Sequence, residues 1–308
     1  MFSVIFPGQG SQNVGMANEF YKKFEIFKRN FKIADELLNF PISNLILQGP
    51  SNKLNLTENT QPAIFLVSYS IFQVLKNEFD IDLNKAKYFA GHSLGEYSAL
   101  ACSGVLSFED TIKILKIRGR AMQDAVPLGK GGMLAVLGSK LETIEDLLNK
   151  KKDQIECYIA NDNSNEQLVL SGGNKDIDKI SSYLNSQKVK NIKLSVSAPF
   201  HCLLMKKATE IIENELNKIV FKKFNTPLIS NVTAKEINDS KLIKNLLIQQ
   251  IESKVRWRES INFMINRGVK NFIEIGPGRI LSGLIKRIDK KVKINAINYE
   301  EDISNINL

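Results

Sequence analysis

Gly91-His92-Ser93-Leu94-Gly95-Glu96-Tyr97-Ser98 is the stretch on which the fold of this 308-residue chain turns. A short apolar segment, Tyr88-Phe89-Ala90, leads into it, and Ala99-Leu100-Ala101-Cys102 carries on from it, with no further glycine until Gly104. The pattern predicts a strand, a sharp turn and a buried helix. Glycines on both sides of a serine remove the Cβ atoms that would clash in a strained turn, leaving the hydroxyl exposed at a helix N-terminus. Unpaired N–H groups and the positive end of the helix dipole there favour the negative charge that develops when a serine attacks a carbonyl. Small residues also gather wherever a helix packs closely on a strand, so the motif alone leaves a structural role open.

Composition sets the outer limits. With 43% hydrophobic residues the chain can bury a large core and a subdomain. No apolar run approaches a membrane span, and the N-terminus enters a strand-like segment directly, so a soluble, untargeted protein is expected. Cys102, Cys157 and Cys202 are odd in number and contain no Cys-x-x-Cys pair. Neither a disulfide framework nor a zinc site is indicated, and a reducing cytoplasm fits. The formal charge of +9 is spread over nearly every predicted helix, without a basic stripe interleaved with aromatics. Nucleic acid and membrane partners are therefore not expected, whereas electrostatic steering of a small acidic protein is left open. A monomer is expected.

Taken from the start, Phe2-Ser3-Val4-Ile5-Phe6 reads as a strand entering the loop Pro7-Gly8-Gln9-Gly10-Ser11-Gln12. Asn13 stands where a dinucleotide fingerprint needs glycine, and no Gly-Lys-Ser/Thr follows, so the loop is not a nucleotide site. Its backbone N–H groups remain free to approach another site. A scaffold helix is predicted from Thr60, as cap, to Phe79, with Pro62 in its first turn. Ser107 and Asp110 resemble a capping box, and Ile112, Leu115, Met122 and Ala125 mark the inner face of the helix that follows. Arg118 falls on that apolar stripe. An inward-facing arginine requires a partner, either an internal carboxylate in a structural ion pair or the carboxylate of a substrate held in a bidentate clamp.

From Gly131 the pattern changes to strand, helix, two strands, helix and strand, ending near Ser197. That order predicts an inserted ferredoxin-like unit. The expected fold class is α/β: a large α/β-hydrolase-like body with a parallel sheet, residues 1–130 and 198–308, plus the small subdomain, residues 131–197. A cleft between the two is a natural substrate site. Asn161 and Asn163 are expected in the turn between the unit's middle strands, where turn chemistry alone would explain them. Only two histidines exist. His92 adjoins Ser93 and would point away from it, whereas His201 arrives on a separate loop and can reach the hydroxyl as general base. No acidic third member is evident, and the chain order differs from that of α/β-hydrolases, whose histidine lies close to the C-terminus. Gly276-Pro277-Gly278 is read as a tight strand-to-helix turn in preference to a ligand loop.

The motif at Gly91 to Ser98, the Gly8-Gln9-Gly10-Ser11-Gln12 loop, Arg118-Gly119, Phe200-His201 and Val255-Arg256-Trp257 together resemble the acyltransferase family that loads acyl carrier proteins in fatty acid synthesis. The likeness runs from Phe6 to about Arg287. It implies a ping-pong transferase in which Ser93 is the nucleophile, His201 its base, and the N–H groups of Gln9 and Leu94 form the oxyanion hole. It implies that Arg118 grips the free carboxylate of a malonyl group, with malonyl-CoA as donor and the phosphopantetheine thiol of an acyl carrier protein as acceptor. Met122, Asn161, Asn163 and Phe200 join Arg118 as substrate-binding residues, Phe200 leaning toward malonyl over bulkier methylmalonyl. A backbone carbonyl at Gln250, or at its neighbour Gln249, orients the imidazole, and Lys254 departs from the proline expected there. No metal or redox cofactor is implied. A serine hydrolase and a non-catalytic carrier-binding protein are the competing readings.

Overall fold

Strand β1 (Phe2–Phe6) is buried throughout and shows why the chain must form layers: Phe2, Val4 and Phe6 enter one apolar cluster while Ile5 enters another. Side chains alternate across a strand, so a strand apolar on both faces needs cover on both. The computed structural model of the chain describes residues 1–196 and 198–306, which leaves Ser197, the expected end of the inserted unit, outside them.

After β1 come helices α1 (Asn18–Lys23), α2 (Glu25–Leu38), α3 (Ile42–Gln48), α4 (Ser51–Leu54) and α5 (Thr57–Glu78), then β2 (Phe89–Gly91), α6 (Leu94–Cys102) and α7 (Phe108–Asp124). A second layer system follows in β3 (Gly131–Leu137), α8 (Leu141–Lys151), β4 (Cys157–Ser164), β5 (Gln167–Gly173), α9 (Asn174–Ser186) and β6 (Asn191–Lys193). The chain then returns through α10 (Lys206–Leu216), β7 (Leu228–Ile229), β8 (Glu236–Ile237), α11 (Ser240–Gln250), α12 (Trp257–Asn266), β9 (Asn271–Ile275), α13 (Ile280–Ile288) and β10 (Lys293–Ile297).

Six strands form a sheet in the order β10-β9-β1-β2-β7-β8, parallel except for the β7–β8 pair. Val4 pairs with Phe89 and with Ile273, so β1 is a central strand. One face is covered by a Phe-rich cluster that includes Phe20, Phe27, Phe31, Phe65 and Phe72, and the other by Trp257, Ile261, Met264, Leu281 and Ile285. The second sheet, in the order β4-β5-β3-β6, is antiparallel and has its own core of Leu134, Val136, Ile144, Ile177, Ile180 and Leu184. The two sheets are joined where Asn161 bridges Val255, with the Asp162 N–H donating to the Val255 carbonyl at 2.9 Å. Beside that bridge the buried Asp162 carboxylate pairs with Arg258 at 2.9 Å. Lys254, the departure noted in the sequence, reaches Glu145 of α8 at 3.2 Å and so ties the same seam.

Three local expectations are corrected. Helix α5 starts at Thr57, with Leu56 as an extended N-cap, so Pro62 lies in the second turn and Thr60 inside the helix, its hydroxyl donating to the Leu54 carbonyl at 2.6 Å. Asn161 and Asn163 are on strand β4 instead of in a turn, buried with their neighbours because the seam and His92 satisfy their polar groups. Strand β6 stops at Lys193, short of the expected end of the unit near Ser197, with one further bond to β3 from the Leu194 N–H to the Met133 carbonyl at 3.0 Å. Ser107 caps α7 as expected, accepting from the Asp110 N–H at 2.9 Å.

Candidate active site

The central strand β2 delivers the chain to the turn at Gly91, and Ser93 sits there with φ 54° and ψ −109°, a conformation that non-glycine residues rarely adopt. Close packing enforces it. A Cβ at Gly91 would lie 1.9 Å from the Gly95 carbonyl, and one at Gly95 would lie 2.3 Å from the Phe6 carbonyl oxygen, so helix α6 can pass over β1 and β2 only with glycine at both positions. Leu94 opens α6, so its N–H has no intrahelical acceptor. The loop carrying Gln9 lies against the same turn, since a Cβ at Gly8 would stand 2.6 Å from the His92 carbonyl oxygen. Among the described residues the Gln9 and Leu94 N–H groups have no acceptor.

His201 approaches from the loop before α10, itself held at φ 57°. Its Nδ1 lies 2.8 Å from the carbonyl oxygen of Gln250, which can only accept, so Nδ1 carries the proton and Nε2 is left to accept. Ser93 Oγ stands 2.8 Å from that Nε2. Burial, and then the Arg118 charge, lowers the His201 pKa to about 3, which keeps the imidazole neutral. His92 turns the other way, its Nε2 donating to Asn163 Oδ1 at 2.9 Å and its ring lying 5.6 Å from that of Trp257.

Arg118 is 1% exposed on the inner face of α7. Its Nη1 donates to Gln61 Oε1 at 2.7 Å, and Nη2 donates to Gln250 Oε1 at 2.9 Å and to Ser93 Oγ at 3.2 Å. All three acceptors are neutral, and among the described residues no carboxylate forms an ion pair with this guanidinium. The structural ion pair is therefore not what accounts for it. Gly119 explains how the helix comes so close: a Cβ there would lie 2.5 Å from the Thr57 carbonyl oxygen at the start of α5, the helix that brings Gln61.

A cavity of about 100 Å³ is enclosed by Gln9, Gln61, Ser93, Leu94, Arg118, Met122, Phe200 and His201, with Met133 and Asn161 completing it from the second sheet. Through Gln9, His92, Asn161 and Val196 it adjoins an outer cleft of about 430 Å³ that includes Asn163, Gln167, Ile280 and Leu284. A larger cleft of about 520 Å³, bounded by Asn13, Glu19, Asn298 and Tyr299, contains neither Ser93 nor His201. Thus Ser93, His201, Gln9, Leu94, Arg118, Met122, Asn161 and Phe200 meet around one small space, Gln250 stands behind it against His201 and Arg118, and Asn163 lies one step outward. Gly276-Pro277-Gly278 stays away from it as a turn, where Glu274 accepts from the Leu281 and Ser282 N–H groups at the start of α13.

Three residues that the sequence analysis did not single out belong to this site. Gln61 is a polar residue in a buried helix, the same signal that marked Arg118. Glu96, inside the opening motif, is fully enclosed and accepts from Gln250 Nε2 at 2.5 Å; burial pushes its pKa up to about 8 against the pull of Gln250, Asn231 and Arg118. Asn231 accepts the Ser93 N–H at 2.7 Å across the turn, and nothing in its local spacing announces it.

A serine on a strained strand-to-helix turn, a neutral imidazole oriented through its far nitrogen and two unpaired N–H groups together define a serine acyl-transfer site. The acyl transferase domain family matches residues 3–298, and the chain belongs to that family. It is 41% identical to the malonyl CoA-acyl carrier protein transacylase of Bacillus subtilis over 97% of this chain and 94% of the relative. The acyl-carrier-protein-S-malonyltransferase of Bartonella henselae superimposes with a TM-score of 0.96 at 37% identity, covering 99% of this chain and 97% of that one. A malonyl-transacylase solved in complex with its type II PKS acyl-carrier protein gives 0.94 at 34% identity, covering 99% and 98%.

Proposed function

We propose that the protein transfers the malonyl group of malonyl-CoA to the phosphopantetheine thiol of an acyl carrier protein, through a malonyl ester on Ser93, in fatty acid synthesis. The relatives' names and the solved carrier complex support the substrate pair. The observation that carries the reading is Arg118, a buried cation with no carboxylate partner among the described residues, 3.2 Å from the serine oxygen. A dicarboxylic acyl chain brings its own carboxylate to that point, which a neutral acetyl group cannot do.

In the first half-reaction His201 Nε2 takes the Ser93 proton as Oγ bonds to the thioester carbon, and the N–H groups of Gln9 and Leu94 meet the developing oxyanion. The C–S bond then breaks, and coenzyme A leaves as a thiol with the proton from His201. In the second half-reaction the carrier thiol gives its proton to His201, attacks the ester carbon and releases Ser93, which recovers the proton. The Gln250 carbonyl holds the imidazole in the required tautomer throughout. Met122 and Phe200 shape the acyl cavity, and Asn161 and Asn163 line the approach from the outer cleft, where the pantetheine arm would run. These roles require no metal or redox cofactor.

We also read residues 1–130 and 198–308 as an α/β-hydrolase-like catalytic body and residues 131–197 as a ferredoxin-like insertion. The strand order β4-β5-β3-β6 and its antiparallel pairing support the second assignment. Three free thiols suit the cytoplasm. Intact-mass analysis after mixing with malonyl-CoA tests the function: one malonyl group should be retained, be absent from Ser93→Ala, and move to holo acyl carrier protein when that is added. Release of free malonate without carrier, at the rate of transfer, would instead make the protein a hydrolase.

A further inference from the structure

Asn231 is 1% exposed and follows β7, the strand beside β2. Its side-chain amide spans the nucleophile turn. Oδ1 accepts the Ser93 N–H at 2.7 Å, and Nδ2 donates to the Gly91 carbonyl at 2.7 Å. Its own backbone is fixed as well, the N–H facing the Glu96 carboxylate at 3.3 Å and the carbonyl accepting from the Arg256 N–H at 3.0 Å. A turn held at φ 54° and ψ −109° relaxes unless its surroundings over-determine it, and no strand ladder can pair the amide of Ser93 with the carbonyl of Gly91.

We propose that Asn231 is a positioning residue for acyl transfer: by bridging the Gly91 carbonyl and the Ser93 N–H it locks the turn that aims the serine hydroxyl at His201 and the Leu94 N–H at the acyl oxygen. This rests on Ser93 being the nucleophile, as proposed above. Rotation about the Ser93 backbone moves both groups together, because Oγ hangs from one side of that residue and the peptide plane carrying the Leu94 N–H from the other. Without the bridge, the 2.8 Å contact to His201 and the oxyanion donor are lost in one step. Arg118 is held by Gln61, which does not touch Asn231, and by Gln250 Oε1, whose amide keeps its 2.5 Å bond to Glu96 when the long 3.5 Å contact to Asn231 is removed, so its grip on the acyl carboxylate is retained.

The test uses Asn231→Ala and Asn231→Asp in the full chain, with thermal unfolding to verify folding. The readouts are single-turnover acylation of Ser93 by malonyl-CoA and by acetyl-CoA without carrier, and labelling by a fluorophosphonate, which needs the serine but not Arg118. Asn231→Ala should slow all three by about a hundredfold, the usual cost of a nucleophile displaced by an ångström, with the malonyl-to-acetyl ratio unchanged. Asn231→Asp keeps an oxygen for the Ser93 N–H but sets its second oxygen against the Gly91 carbonyl, where only a protonated carboxyl can donate. The titratable group facing this position is Glu96 of α6, which burial itself keeps protonated below about 8, with the Gln250 amide of α11 and the Arg256 backbone as the other neighbours; among the described residues no cation compensates a new carboxylate at this buried position, so burial raises the pKa of the introduced acid. Acylation by Asn231→Asp relative to wild type should therefore climb as pH falls from about 8 to about 5. The proposal is overturned if folded Asn231→Ala acylates within about twofold of wild type, or if its malonyl-to-acetyl ratio shifts as a generally loosened cavity would make it. Should the alanine variant fail to fold, a pH-independent deficit in Asn231→Asp overturns it instead. Labelling of Ser93→Ala would sink the nucleophile assignment itself, a separate failure.

Discussion

The two ends of the acyl cavity are built from different materials. At the proposed reacting end, geometry is set by the backbone: two non-glycine residues with positive φ, Ser93 and His201, a main-chain carbonyl orienting the imidazole, and the main-chain N–H groups proposed to meet the oxyanion. At the selecting end, Arg118 is set by side-chain amides, those of Gln61 and Gln250. Gln250 serves both, its carbonyl at one end and its amide at the other. The difference teaches that chemistry and selection are separable by mutation even though 3.2 Å divides Arg118 Nη2 from Ser93 Oγ. Side-chain changes can erase selection alone, while the backbone parts of the reacting end survive most substitutions.

The comparison breaks most visibly at His201. His201→Ala should slow transfer of every acyl group by about 100- to 10,000-fold, the range for loss of a general base, as followed by steady-state transfer to the carrier. His92→Ala, which loses the contacts to Asn163 and Trp257 but none to Ser93 Oγ, should cost less in the same assay; equal rates for the two variants would contradict the assignment of the base.

A smaller effect is expected at the seam between the sheets. Arg258→Ala leaves the Asp162 carboxylate, which has no solvent exposure, without its partner. Breaking a dry pair costs about 3–5 kcal/mol, but the Arg258 side chain is 22% exposed, so a loss on the order of 2 kcal/mol in denaturant unfolding is expected. The variant should keep its malonyl-to-acetyl ratio, since neither end of the cavity is touched.

The smallest effect is the absence of one. Burial, and then the Arg118 charge, lowers the His201 pKa from 6.5 to about 3, so the imidazole stays neutral throughout the neutral range and, as the proposed base, should give acylation no acid limb near 6.5. The same depression means that stability conferred above 6.5 is lost as pH falls toward 3, because only the unfolded chain takes up the proton. Glu96 acts with the opposite sign: its raised pKa gives stability that is full below 4.5 and lost as pH rises to about 8, and Glu96→Gln should abolish that loss in unfolding free energy measured against pH.

The parts of the molecule that could be read from sequence are those whose cause is local. The glycines around Ser93, the alternation of periods after Gly131 and the arginine on an apolar stripe each state their reason within a few residues. Helix α2 was also within reach, for Phe27, Asn30, Phe31 and Ala34 mark a buried helical face that passed unremarked. The placement of Asn161 and Asn163 misled because Asn161-Asp162-Asn163-Ser164 has turn composition, and only Val255, Arg258 and His92, distant in sequence, make it a buried strand. Asn231 was invisible for the same reason, since its partner Ser93 lies far away along the chain, whereas Gln61 stands out as a polar residue on a buried helix although its partner Arg118 is also distant.

The separation of chemistry from selection is tested most directly by the ratio of kcat/KM for malonyl-CoA to that for acetyl-CoA, measured in wild type, His201→Ala and Arg118→Ala, with a melting curve for each. His201→Ala should lower both terms and leave the ratio alone. Arg118→Ala should stay folded, lose malonyl transfer by about a hundredfold, as for an unmade charge-assisted contact of about 3 kcal/mol, and hold or raise acetyl transfer. An unchanged ratio in Arg118→Ala together with a lowered melting temperature would make Arg118 a structural residue and remove the residue-level basis for malonyl as the substrate.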